Sequence, residues 1–415
     1  MRAVSVELDS KPSFWGDSMQ GARQVPRFLR LQSTVRLKVL LWFCLLVSWG
    51  GKTLRVRSIT NNDRKTFNRF VSNHPKGHIL QSFEWGEVKA STGWKPHRLL
   101  LDDGNRVRAA VSILERRLPG LNKTIFYAPR GPVLDFDDRE AFGALIRGVR
   151  DLAKERKAIL WKIDPDIPKP LLPASHLEAL GFRSLGRGLN FEGVQPRFVF
   201  RLSITDTLEE IFAQFSQKTR YNIRLAERKG VTVRSDCTEA DLVPFYDLLK
   251  ETCRRDGFLV RGIEYYRVIW RELVERDLAR LFVAEYEGRP IAAKLSFLFG
   301  DKVWYVYGAS GNTYRNVMPN HALQWAMIGW AKSRSCTMYD FRGVSGDINP
   351  DNPLYGLYRF KKGFGGEFVE FTGEYDYVLS PAFYHLWNWG EPRYRHLRGR
   401  LADLRGRRGS GGEST

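Results

Sequence analysis

The run Tyr355-Gly-Leu-Tyr-Arg-Phe-Lys-Lys-Gly-Phe-Gly-Gly-Glu367 packs rings, lysines and glycines together too tightly for a plain core strand. Phe360 and Phe364 can be buried while Lys361 and Lys362 stay at a backbone-lined surface, and the glycines let something large and anionic approach. Arg261 sits in a loop just before a helix; a helix start plus a guanidinium makes an anion site, and the alternative is a capping pair with Glu264. Lys89 follows Trp85 by four residues, so on a helix both share a face, and the bland reading is a lysine stem lying over an indole. Tyr305 and Tyr307 alternate with Trp304 and Val306, and a period of two puts both phenols on one sheet face, either in the core or lining a channel. Asp164 ends an apolar strand before Pro165, where a carboxylate serves as a functional group or as a turn cap.

These groups need elements to hold them, and the chain has the material. Its 415 residues allow two domains of ordinary size, and 43% apolar and 13% aromatic residues are those of a packed globular protein. The formal charge is +20; residues 1–52 contribute an excess of five cations and residues 391–415 an excess of four, which leaves +11 on the body. Such a body suits polyanions: nucleic acid, pyrophosphate or an anionic membrane surface. Cys44, Cys237, Cys253 and Cys336 show no paired spacing and read as reduced thiols, and the scattered histidines form no metal pattern. The apolar run Val39–Trp49 has eleven residues, short of the roughly 18–20 that span a bilayer. Residues 1–53 therefore read as a non-conforming extension and 393–415 as a basic, disordered tail.

From Leu54 onward the pattern is regular. The first half reads as a strand at 54–61, a helix through Val71, a short helix over Gln81–Lys89, strands at Arg98–Asp102, Val107–Arg116 and Thr124–Ala128, a helix over Arg139–Arg156 and a buried strand at Ala158–Ile163. The second half reads as a strand at Phe198–Leu202, helices over Leu208–Lys229, Thr238–Asp256 and Tyr265–Glu275, a hairpin of Arg280–Tyr286 with Ile291–Phe299, the aromatic strand Lys302–Gly308, a helix over His321–Ser333 and a strand at Thr337–Phe341 carrying Asp340. Each half thus runs hairpin, aromatic strand, helix, then a strand with Asp. That is the plan of an α/β (α+β) fold of GNAT-like, acyl-CoA N-acyltransferase-like domains in tandem, with mixed sheets flanked by helices.

Three fragments carry a resemblance: the Tyr355–Glu367 run, Tyr127-Ala-Pro-Arg-Gly-Pro-Val133, and the basic helix with its glycine stop, Lys218-Thr-Arg-Tyr-Asn-Ile-Arg-Leu-Ala-Glu-Arg-Lys-Gly-Val231. In this order they resemble the Fem family (FemABX), aminoacyl-tRNA-dependent transferases that build peptidoglycan bridges. The likeness spans about 54–390, and with no room for a long helical arm between Lys229 and Arg261 it points to the compact branch. The resemblance implies domains at 54–195 and 196–371, with 372–392 packing back on the first. It implies an enzyme that moves an amino acid from aminoacyl-tRNA to a stem-peptide amine of a precursor, UDP-MurNAc-pentapeptide or lipid II, in the cytoplasm, without cofactor or metal and as a monomer. Peripheral contact with the inner face of the membrane is compatible with a lipid-linked acceptor.

The resemblance also carries roles. Trp85-Gly-Glu-Val-Lys89 matches a segment whose lysine grips the precursor's pyrophosphate, and Arg261 matches a phosphate-binding arginine followed by Ile263-Glu264-Tyr265. Tyr265 would neighbour the nucleotide sugar, and Tyr305 and Tyr307 would line the substrate channel. Asp164 would accept or position a proton, and Lys361, in Tyr358-Arg-Phe-Lys361, would stabilise the oxyanion or hold the tRNA's terminal phosphates; Lys362 competes for that role. The basic helix would guide tRNA. Two other readings stay open: a GNAT-type transferase using acyl-CoA, against which the missing Arg/Gln-x-x-Gly-x-Gly/Ala loop counts, and a catalytically silent relative that binds precursor or membrane.

Overall fold

A computed structural model of the protein describes residues 54–186 and 188–390; the extension at 1–53 and the tail at 393–415 lie outside the described residues. Seven strands form in the first half: β1 (Arg55–Ser58), β2 (Lys95–Asp102), β3 (Val107–Arg117), β4 (Thr124–Ala128), β5 (Val133–Leu134), β6 (Ala158–Ile163) and β7 (Phe182–Ser184). The second half supplies β8 (Phe198–Ser203), β9 (Thr232–Arg234), β10 (Ala279–Tyr286), β11 (Arg289–Phe299), β12 (Lys302–Ser310), β13 (Met338–Val344) and β14 (Glu367–Glu370). These seven make one sheet in the order β14-β8-β13-β12-β11-β10-β9. The last strand, β15 (Tyr375–Val378), returns to the first sheet and inserts between β6 and β7. Helices flank both mixed sheets, and the fold is a tandem GNAT-like α/β arrangement.

The helices are α1 (Arg64–Asn73), α2 (Phe83–Ala90), α3 (Arg139–Arg156), α4 (Ala174–Ala179), α5 (Leu208–Gln214), α6 (Gln217–Arg228), α7 (Leu242–Asp256), α8 (Ile263–Ile269), α9 (Pro319–Ser333) and α10 (Tyr355–Lys362). Asp138 caps α3 by accepting from the Ala141 N–H at 3.0 Å, and the helix lays Phe142, Leu145 and Val149 on the first sheet. The second sheet is covered on both faces. One face receives Phe245, Tyr266 and Trp270 from α7, α8 and the turn after α8, together with Phe67, Val71, Trp85 and Val88 from the first half, so a single apolar core joins the halves. The other face receives Phe215, Ile223, Met327 and Phe364.

A buried ion cluster also links the two sheets. Arg201 of β8 donates to both Asp166 oxygens, at 2.6 and 2.7 Å, and to Asp340 of β13 at 3.0 Å. Each carboxylate favours the charged guanidinium, which keeps the Arg201 pKa raised despite burial.

Three element expectations change. The helix expected over Leu208–Lys229 is two helices, because Phe215 turns extended and the Ser216 hydroxyl starts α6 by accepting from the Thr219 N–H at 3.2 Å. The helix expected over Tyr265–Glu275 starts earlier, at Ile263, and finishes in a π-helical turn over Trp270–Val274. The Thr238–Asp256 helix begins as a short 3₁₀ turn at Glu239–Asp241. From Lys229 to Arg261 the chain is filled by β9, that turn and α7, which leaves no extended arm. Among the described residues no helix is long and apolar enough to cross a membrane.

Candidate functional site

β12 and β13 run parallel and pair only at their starts, Lys302 to Trp304 against Met338 to Asp340. Beyond that both strands are irregular. β12 has an extra residue opposite β11, where Leu295 faces Tyr307 and Ser296 faces Tyr305, so Val306 is bulged. β13 breaks its register with β8 after Asp340, and Arg342 takes a left-handed φ of 61°. The Asp340 carboxylate accepts from the Arg342 N–H at 2.6 Å and holds that kink. Two kinked strands that stop pairing leave a gap in the sheet and strand carbonyls without partners.

Lys361 fills that need. Its Nζ donates to the carbonyls of Phe341 at 2.6 Å and Gly343 at 2.7 Å. This corrects the expectation of a surface lysine: Lys361 is 4% exposed, while Lys362 is the exposed neighbour. The reason is helical geometry, since in α10 Tyr358 and Lys361 share the inner face. Burial pulls the Lys361 pKa down to about 7, with Asp340 opposing and Arg342 assisting the fall.

The two tyrosines of β12 do not share a face, contrary to the period-two reading. The bulge at Val306 rotates the strand, so Tyr305 joins the core with α5, α6, α9 and α10 and Tyr307 joins the core between the halves. The Tyr305 ring lies 5.7 Å from the Lys361 Nζ. Its phenol runs along the strand over Gly308, where a Cβ would collide with the hydroxyl. The Tyr307 hydroxyl meets that of Tyr265 at 3.2 Å.

Tyr265 gathers the third group. Lys89, at the end of α2, has its Nζ 5.4 Å from the Trp85 ring centroid and 5.7 Å from that of Tyr265, and the Arg261 guanidinium lies 4.9 Å over Tyr265. Residues 172 positions apart thus set two cations on one phenol. Burial and the nearby Arg261 lower the Lys89 pKa to about 8. Glu264 does not cap Arg261; it pairs with Arg267. Among the described residues no carboxylate pairs with Lys89 or Arg261, so the place suits an anion.

Asp164 stands apart from both. It follows β6, is 2% exposed, and accepts from the Tyr127 hydroxyl at 2.7 Å and the Arg130 N–H at 2.5 Å. Burial raises its pKa to about 6, against the pull of Arg130. It lines a cavity of about 80 Å³ with Arg130, Gln195, Phe371 and Glu374. Gln195 also receives the Arg342 guanidinium at 2.9 Å, so the kink of β13 reaches toward this cavity. Among the described residues no contact joins Asp164 to Lys361 directly.

Sequence reading missed Tyr127, Arg130, Arg342 and Lys294 as site groups. Lys294 left a signal, a single lysine inside the apolar strand Ile291–Phe299. Arg342 left none, since nothing in the sequence marks a left-handed arginine.

A model of the FemAB family matches residues 62–287 and 271–390. The chain is similar to lipid II:glycine glycyltransferases: 30% identical over 401 residues to that of Staphylococcus epidermidis and 31% over 405 residues to that of Staphylococcus aureus, in each case covering 81% of this chain and 95% of the relative. Among solved structures, a crystal structure of FemX superposes with a TM-score of 0.75 at 30% identity, covering 80% of this chain and 99% of FemX. A shared two-sheet architecture and matches running over most of the length lead to one conclusion: the chain belongs to the FemAB family.

Proposed function

We propose that this protein is a tRNA-dependent aminoacyltransferase that moves an amino acid from aminoacyl-tRNA to a stem-peptide amine of a peptidoglycan precursor, lipid II or its nucleotide-linked counterpart. The observation that carries the reading is the gap between β12 and β13, with a buried lysine at its edge and candidate binding groups on both faces of the sheet. A precursor bound by Lys89, Arg261 and Tyr265 approaches from the face shared by the two halves. A donor approaches from the opposite face, beside Tyr305 and Lys361. The substrates then meet through the sheet, which sets amine and ester in line.

The chemistry is aminolysis of an ester that carries its own driving force, so the residues position groups and manage charge. The Lys361 ammonium stabilises the oxyanion of the tetrahedral adduct. Asp164, whose raised pKa lets it exchange a proton near neutrality, takes up the proton of the acceptor amine. The exposed Lys218, Arg224, Arg228 and Lys229 of α6 and its end guide the tRNA backbone. Named relatives act on lipid II, which supports a lipid-linked acceptor; in this reading the work is done at the inner membrane face by a cytoplasmic monomer.

The test is transfer itself. Purified protein is incubated with labelled aminoacyl-tRNAs and with lipid-linked or nucleotide-linked precursor, and with labelled acetyl-CoA in parallel. Label passing from one tRNA to a precursor is expected and names both substrates. Label passing only from acetyl-CoA overturns the reading.

A further inference from the structure

Lys294 is the least accounted-for charge in the described structure. It lies mid-way along β11, opposite Gly308 of β12 and Phe282 of β10, and is 1% exposed. Its Nζ faces the Tyr305 ring at 4.3 Å and the Phe360 ring at 5.6 Å. Among the described residues no carboxylate pairs with it and no hydrogen-bond acceptor meets it. The other titratable groups around it are Tyr305 on β12, Lys361 on α10 and His321 on α9, the last held to Asn222 of α6 at 3.2 Å and packed on Phe360. All three neighbours add positive charge or none, so nothing among them offsets the burial of an ammonium here. Burial and Lys361 bring the Lys294 pKa down to about 7, a value at which an amine can hold or release a proton near neutral pH.

The two buried lysines differ in what they have to spare. Lys361 commits its ammonium to two carbonyls of β13. Lys294 keeps its donors free, one strand farther from the gap and on the donor face. We propose that Lys294 is a further catalytic residue, donating a proton to the ribose oxygen that leaves when the aminoacyl ester is cleaved. The inference rests on the aminoacyl-tRNA reading above. The acceptor nitrogen bonds to the ester carbon, the adduct collapses, and the carbon–oxygen bond to the ribose breaks. The departing oxygen takes the Lys294 proton, and the amine regains one from the pool fed by the attacking nitrogen, so the cycle needs no co-reactant.

The experiment compares the full chain with Lys294→Met, using donors whose terminal ribose carries a 2′-hydroxyl or a 2′-fluorine; fluorine makes the neighbouring 3′-oxygen a better leaving group. With the natural donor the variant should lose about a hundredfold in kcat, and with the fluorinated donor less than about tenfold. Its Tm should rise, because a buried, unpaired cation has been removed; a residue kept only for structure would give the opposite sign. Unchanged kcat, the same fractional loss with both donors, or a fallen Tm overturns the proposal. Should Lys294→Met not fold, the wild type decides alone: a proton supplied to the leaving oxygen keeps the advantage of the fluorinated donor under about threefold, and a much larger advantage overturns the proposal. A wild type that takes no amino acid from any aminoacyl-tRNA overturns the functional reading and this inference with it; one that transfers while Lys294→Met keeps pace overturns the inference alone.

Discussion

Each half of the molecule contains one parallel pair of strands, and the two pairs are finished differently. In the first half β4 stays paired with β6 to its last residue, Ala128 against Ile163. In the second half β12 leaves β13 after three pairs, Trp304 with Asp340 being the last. The closed pair has no carbonyls to satisfy, and it ends in a carboxylate, Asp164, anchored by Tyr127 and Arg130. The open pair leaves carbonyls that need a donor, and Lys361 supplies it. One fold plan thus yields a strand end that presents a carboxylate and a gap that presents an ammonium. The cause is local: the irregularity of the closed pair falls at its start, between Thr124 and Phe126, whereas the open pair has its bulge at Val306 and a left-handed Arg342 just where pairing would have to continue.

The sharpest way to break this contrast is to empty the gap. Lys361→Met should lower kcat by about 10²–10³, the scale of losing an oxyanion donor, and should also cost about 2 kcal/mol of stability through the abandoned carbonyls. Single-turnover rates and denaturant unfolding measure the two losses separately. A Lys361→Met protein with full turnover would make the gap a structural curiosity.

Asp164→Asn tests the closed end, with an expected loss of about a hundredfold. For the free protein, kcat/KM should rise as pH passes about 6, where Asp164 ionises, and decline beyond about 7, where Lys361 and Lys294 give up their charge. The variant should lose the acid limb and keep the alkaline one. A profile that keeps both limbs would remove Asp164 from proton transfer.

Arg261→Ala and Lys89→Ala should each raise KM for the precursor by about tenfold with little change in kcat, because these cations hold the anion remote from the reacting atoms. Donor KM should not move; a change there would place the donor on the wrong face of the sheet. The smallest effect should come from Gly308→Ala, which pushes the Tyr305 phenol off the strand and should cost a few-fold in kcat. No matching loss should follow a conservative change such as Ala128→Gly at the end of β4, where no ring crosses a glycine.

Much of the frame was legible in the amino-acid order. Arg139–Arg156 and Ala158–Ile163 fell where their apolar spacing placed them, and the hairpin of β10 and β11 turned at Glu287-Gly288. These are local properties, governed by periodicity and turn chemistry within a few residues. Lys361, Asp164, Lys89 and Arg261 could be picked out as candidates too, because a charged side chain at an element's end stands out from an apolar background. What the sequence could not decide was which face each group takes and whom it meets. One bulged residue sent Tyr305 and Tyr307 to opposite cores, one helical turn buried Lys361 and exposed Lys362, and a distant phenol brought Lys89 to Arg261. Those outcomes depend on strand register and on packing between segments far apart in the chain, and these are settled only when the whole core closes.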